Sequence, residues 1–244
     1  MSLSSNSLIH FTQSKDSLIG ILKDEFKIKY CQENVITPTG TLNYLIPMVS
    51  FCDLPLSEIK DHIRKYGAYG IGLKREWGQA NNLNPVLYID KNSSLGAGYH
   101  SAFYDLFKGR KVSSLSETEA NLVNTVRYMK NYEADLDRNG VVIPNYRFAD
   151  ENEWRFVPDK EKAQMLIKGA IITNVVKQKV NDSISSLRLS FEPKDIKYIV
   201  INDETEISEF IDVLRRAKGK KYTLEDVERL ITRLITTEQI LTDF

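Results

Sequence analysis

RFADENEWRFVP, residues 147–158, sets two glutamates, Glu151 and Glu153, at the entry to a run of strand-forming residues. Alternation along ENEWRFVP places Glu151, Glu153, Arg155 and Val157 on one strand face and Trp154 and Phe156 on the other. A strand here decides the fold class, because the segments just before it read as helices and those after it as strands.

Upstream, SLGAGYHSAFYDLFKG (94–109) and SETEANLVNTVRYMKNY (116–132) read as helices. The second carries a capping box, Ser116 with Glu119, and sets Leu122, Val126 and Met129 on one face. Downstream, AIITNVV (170–176), LRLSF (187–191) and IKYIVI (196–201) read as strands. The chain closes on ETEISEFIDVLRRAKG (204–219) and TLEDVERLITRLITTEQILTDF (223–244), two helices. Thr223 caps the last one, and Leu224, Val227, Ile231 and Leu234 form its apolar stripe.

Nearer the start, SLIHFT (7–12) predicts a strand. SKDSLIGILKDEF (14–26) predicts a helix capped by Ser14, with Leu18, Ile21, Leu22 and Phe26 at helical spacing. A polar segment with a turn at TPTG (37–40) leads to a strand in IPMVSFCDLPL (46–56), punctuated by Pro47 and Pro55. SEIKDHIRKYG (57–67) reads as a helix capped by Ser57 and stopped by Gly67. YGIGLK (69–74) and NPVLYID (84–90) read as strands joined by the turn-rich REWGQANNLN (75–84). This order predicts an α+β fold with a mixed or antiparallel sheet, not a doubly wound one. Residues 1–203 are expected to form the α+β domain and 204–244 a helical pair packed on it.

Composition narrows the function classes. Lys+Arg and Asp+Glu are both 33 in 244 residues, so the chain as a whole is no obvious polyanion binder. Apolar residues make up 42%, enough for a substantial core. Two separated cysteines, Cys31 and Cys52, make neither a disulfide framework nor a CxxC metal site. The start MSLSSNSLIHF lacks the pattern of a secretion signal, and no apolar run has membrane-spanning length. A cytoplasmic protein without membrane association is the expectation. No GxGxxG, Walker loop, HExxH or GxSxG occurs, and the glycines of YGAYGIG lack the setting of a phosphate loop.

Three histidines occur. His62, mid-helix among charged neighbours, reads as a solvent-facing filler, and His100 has no cysteine or carboxylate at ligand spacing. His10 lies on a strand, followed by Phe11 and Thr12. Glu151 and Glu153 admit two readings. One is a solvated face of acid and base; the other is a carboxylate pair aimed into a cleft, able to bind a ribose hydroxyl and stabilise a cationic sugar carbon.

Several blocks carry a resemblance. MVSFCDLPLSEIKDHIRKYGAYGIGLKREWG, with NPVLY and EWRFVP, resembles the AbiGi abortive-infection family of bacterial phage defence over most of residues 8–160. LIHFTQSKDSLIGIL, IPMVSFCDLPL, ENEWRFVP and IKYIVINDETEISEFIDVL are more remotely similar, in the same order, to DarT-type ADP-ribosyltransferases. That second likeness implies the split sheet of that superfamily, flanked by helices, and NAD as substrate with no metal.

The same likeness implies site residues. His10 matches the histidine at the NAD ribose, beside Phe11 and Thr12, while Ser50 and Phe51 match the nicotinamide-pocket block. Glu153 matches the catalytic glutamate, and Glu151 the residue that engages the acceptor. DarT-type enzymes use an early arginine; here none precedes Arg64, and Lys27 or Lys29 replaces it only imperfectly. Two functions follow as expectations. One is an NAD-dependent ADP-ribosyltransferase effector that modifies a nucleic acid or protein acceptor. The other is a non-enzymatic antitoxin or regulatory protein of the same fold, paired with a cognate toxin partner. A nuclease-like effector lacks the carboxylate and lysine spacing metal-assisted cleavage needs.

Overall fold

The computed structural model describes residues 5–108, 110, 114–138, 140–167, 174–219 and 221–243. In chain order the elements begin with β1 (Ser7–Thr12), α1 (Lys15–Asp24), β2 (Phe26–Lys27), β3 (Lys29–Thr37) and β4 (Gly40–Cys52). They continue with α2 (Lys60–Tyr66), β5 (Tyr69–Lys74), α3 (Arg75–Ala80), β6 (Asn84–Pro85), β7 (Leu87–Ile89), α4 (Ser94–Phe107) and α5 (Glu117–Asn124). Next come β8 (Met129–Asn131), β9 (Glu133–Arg138), β10 (Val141–Arg147), β11 (Glu153–Phe156), β12 (Leu166–Ile167) and α6 (Asn174–Ser183). The last are β13 (Arg188–Leu189), β14 (Ile196–Ile201), α7 (Ile207–Lys218), α8 (Leu224–Ile231), β15 (Leu234–Thr236) and α9 (Thr237–Asp243). The fold is α+β with both parallel and antiparallel strand pairs, as the sequence predicts.

Two compact units divide the chain. The first comprises residues up to Ile28, Val49–Asn84 and Ser186 onward; the second is Lys29–Met48 with Pro85–Ser185. The strand β4 runs from the second unit into the first.

In the first unit β1 pairs antiparallel with β5 across its full length, from Ser7 opposite Lys74 to Thr12 opposite Tyr69. The strand β5 pairs antiparallel with β14, and β14 pairs parallel with β15. The glycines of YGIGLK serve this sheet, since a Cβ on Gly72 would lie 2.9 Å from the Tyr198 ring. Gly67 closes α2 at φ 115°, where a Cβ would collide with the Thr12 carbonyl oxygen. Ile9, Cys52, Leu54, Ile59, Ile63, Val200 and Ile240 form one core cluster. Each such side chain contributes about 1.5–3 kcal/mol by leaving water.

In the second unit β3 and β4 form a long hairpin, turning at Pro38 and Thr39 with Thr37 opposite Gly40. The polar segment before the turn is therefore a strand. Its alternation is legible toward the turn, where Val35 and Thr37 are buried and Gln32, Asn34 and Ile36 are exposed. Leu45 and Tyr44 of β4 pair with β12, β7 runs parallel to β8, and β9 and β10 form a hairpin before Phe148. The core gathers Val35, Tyr44, Ile46, Phe103, Val126, Met129 and Met165, among others.

Several local expectations are corrected. REWGQA is the helix α3, not a turn, because Trp77 must be buried and donates its Nε1–H to the Ser190 carbonyl. A 3-10 turn over Leu56–Glu58 replaces the Ser57 cap, and α2 starts after Ile59, a fully buried core residue. His62 is buried, stacked on Tyr66, rather than facing solvent. The capping box of Ser116 and Glu119 is present, but α5 ends at Asn124. There the Thr125 hydroxyl donates to the Leu122 carbonyl, which ends the regular turn. Leu122 is exposed, whereas Val126 and Met129 reach the core from a 3-10 turn and a strand. Phe26 lies on β2, beyond the end of α1.

The expected strand 170–176 falls partly outside the described residues, and Asn174–Val176 open α6. The final segment is not one helix: α8 ends at Ile231, and Leu234–Thr236 pair with β14. Clustered β-branched residues there (Ile231, Thr232, Ile235, Thr236 and Thr237) favour extended backbone once a strand edge offers a ladder.

Candidate functional site

The glutamate pair lies in the second unit. Phe148–Glu151 form a 3-10 turn, Asn152 takes a left-handed conformation at φ 44°, and β11 starts at Glu153. Asparagine tolerates that conformation, and the turn it makes takes Glu151 off the strand. Glu151 therefore does not share a strand face with Glu153, yet the two carboxylates still converge, because both lie against Lys130 of β8. Lys130 Nζ donates to Glu153 Oε2 at 2.6 Å and to Glu151 Oε2 at 3.1 Å. Arg155, two residues along the strand and fully buried, donates its Nε–H to Glu153 Oε1 at 2.6 Å. Arg155 also pairs with Glu33 of β3 at 3.2 Å and donates to the Arg127 carbonyl. Tyr146 donates its hydroxyl to Glu151 Oε1 at 3.0 Å, and the Glu153 amide donates to the Tyr88 hydroxyl oxygen.

Glu151 and Glu153 are 5% and 6% exposed, so the solvated-face reading of these two acids does not hold. Burial disfavours the charge on Glu153, but Arg155 and Lys130 outweigh it and hold the carboxyl down at about 2. Burial likewise opposes the charge on Lys130, and Glu153, Glu151 and Glu33 overcome it, so its affinity for a proton rises. Three acids and two bases form one closed, charged network in which both oxygens of Glu153 are occupied. A buried carboxylate so engaged fixes the local packing of β3, β8 and β11.

The other predicted residues lie in the first unit. His10 Nδ1 lies 2.8 Å from the Ser50 carbonyl oxygen, which can only accept, so Nδ1 carries the proton. Desolvation lowers its pKa, with the Ser50 bond acting in the opposite direction, and the neutral ring has Nε2 as an acceptor. The ring meets Phe26 edge-on at 5.3 Å and Phe51 at 5.7 Å, beside Trp77 and Phe191 around Phe26. Phe11, one residue on, points to the opposite face and lies near His62 at 6.2 Å. Of the five predicted binding residues, His10, Phe51 and the Ser50 carbonyl come together, and Phe11 does not join them. Thr12 ends the strand, its carbonyl against Gly67.

Arg155 was readable as a face-mate of Glu153 from the two-residue spacing. Lys130, Glu33, Tyr88 and Tyr146 carried no sequence signal, since they reach the site through tertiary packing, all but Glu33 from sheets separate from that of β11. Among the described residues no group of three or more His, Cys, Asp or Glu is placed to hold a metal ion. No described helix is long and apolar enough to cross a membrane.

Comparison with known proteins adds the family. A family profile described as "Putative abortive phage resistance protein AbiGi, antitoxin" matches residues 24–202. The abortive phage resistance protein AbiGi of Lactococcus lactis subsp. cremoris is 25% identical over 239 residues, covering 89% of this chain and 94% of that protein. No solved structure matches the chain. The matched span takes in both the glutamate network and the strand β5 that pairs with His10, and the chain belongs to the AbiGi family of abortive phage resistance proteins.

Proposed function

We propose that this protein serves phage defence as a non-enzymatic, antitoxin-like component that acts by binding a partner protein. The observation that carries this reading is the engagement of the glutamate pair. A carboxylate that stabilises a cationic sugar needs a free oxygen and an uncancelled charge directed at the substrate. Glu153 instead gives both oxygens to Lys130 and Arg155, and Glu151 gives one to Lys130 and one to Tyr146. The antitoxin description of the matched family supports the same reading.

A second reading, NAD-dependent transfer of ADP-ribose to a nucleic acid or protein acceptor, is favoured by one observation. The partly exposed, neutral His10 is held by the Ser50 carbonyl among aromatic rings, an arrangement suited to positioning a dinucleotide. One experiment separates the two. The purified chain is incubated with excess NAD and nicotinamide release is followed; in parallel it is co-expressed with the product of the neighbouring gene and purified. A stable complex with no nicotinamide release is the expected result. Sustained nicotinamide release that disappears in a still-folded Glu153→Gln variant overturns the antitoxin reading.

A further inference from the structure

A cavity of about 220 Å³ in the second unit is lined by Leu115, Ala120, Val123 and Met165 on its apolar side and by Arg127, Lys160 and Gln164 among its polar residues. Arg127 is 3% exposed, yet among the described residues it has no carboxylate partner within ion-pair distance. Its terminal nitrogens donate to neutral acceptors: Asn124 Oδ1 at 2.9 Å, and the carbonyls of Pro158 at 2.7 Å and Ala163 at 3.4 Å. Its Nε–H, also buried, has no acceptor among the described residues. A guanidinium keeps its charge in proteins, so this cation lies out of water with no full negative charge beside it, a costly arrangement for a residue with only a packing role.

We propose that the cavity is a binding site for a small amphipathic anion, one carboxylate or phosphate on an apolar body, with Arg127 as its main counter-charge. The size fits, because an apolar cavity of about 150 Å³ accepts benzene, and this one is larger by roughly the volume of an acid group. Lys160, half-buried, supplies a second cation at the wall. The negative groups nearby do not oppose the assignment. Glu117 is exposed on the cavity lip, where solvent screens it, and Asp159 and Glu161 are exposed and act on Arg127 only through space. Leu115, Val123 and Met165 select a ring or branched alkyl group over a bare ion, and the Arg127 charge favours an acid group over a neutral one. This site adjoins the glutamate network, since Arg155 donates to the Arg127 carbonyl, but the proposal is independent of the functional reading above.

The test uses the full chain and three probes, benzoate, phenyl phosphate and benzyl alcohol, with inorganic phosphate as a fourth, followed by amide and methyl NMR shifts. Benzoate or phenyl phosphate is expected to bind in the millimolar range or tighter and to shift Val123 and Met165. The neutral alcohol and inorganic phosphate are expected to bind at least about tenfold more weakly, the scale of one charge-assisted bond. Ala120→Phe, a change on the cavity wall at a half-exposed helix position, is expected to abolish binding while the melting temperature stays near that of the parent. Arg127→Met is expected to remove the preference for the charged probes. Equal binding of benzoate and benzyl alcohol, binding that survives Ala120→Phe, or no response to either charged probe at millimolar concentration overturns the proposal.

Discussion

Glu153 shows how burial and pairing compete at a single residue. Its carboxylate is almost wholly removed from water, and alone it would be neutral; with Arg155 and Lys130 at 2.6 Å it is more acidic than a free glutamate. Removing one partner of such a network leaves the others uncompensated. Glu153→Gln should therefore destabilise the protein by about 3–5 kcal/mol in urea unfolding; a loss under about 1 kcal/mol would mean that the network adds little. The pH dependence has a definite sign. The folded carboxyl titrates at about 2 against 4.5 ordinarily, so its stabilisation is complete above 4.5 and lost as pH falls toward 2. That loss is on the order of 3 kcal/mol, and urea midpoints followed down through this window should fall more steeply in the parent than in Glu153→Gln.

At the scale of elements, α8 separates what spacing predicts from what packing decides. Thr223 and Asp226 make a reciprocal cap, the Thr223 hydroxyl oxygen accepting the Asp226 amide at 3.2 Å. Leu224, placed by spacing on the apolar stripe, is 69% exposed, while Val227 and Leu230 are buried. Leu230→Ala should cost about 2–5 kcal/mol, Thr223→Ala about 1 kcal/mol, and Leu224→Ala within about 0.5 kcal/mol. Thermal melts of the three variants check the order. An equal effect at Leu224 and Leu230 would contradict the placement of this helix. The following residues 234–236 turn from helix to strand because β14 presents an edge they can pair with in parallel, Ile199 opposite Leu234.

For the molecule as a whole, equal numbers of acidic and basic residues and a pI near 6.8 give no long-range attraction to a polyanion. Binding to non-specific duplex DNA at physiological salt should be weaker than about 100 μM, the weak end for DNA-binding proteins. Fluorescence anisotropy checks this, and tight, steeply salt-dependent binding would move the functional reading toward a nucleic-acid acceptor. Two separate core clusters also place the candidate residues in different units: His10, Ser50 and Phe51 in the first, Glu151 and Glu153 in the second.

The sequence by itself determined the features that depend on near neighbours. These include the strands at 7–12, 69–74 and 196–201, the caps at Ser14, Ser116 and Thr223, the TPTG turn, and the common face of Glu153 and Arg155. Periodicity and capping act over a few residues, so they are written locally. Only the tertiary structure decided that Lys130 joins two glutamates, that Glu33 completes the network, that His62 is buried, and that residues 234–236 extend a sheet. Those outcomes depend on which strands pair across tens of residues and on which charges burial forces together, and neither leaves a spacing in the chain.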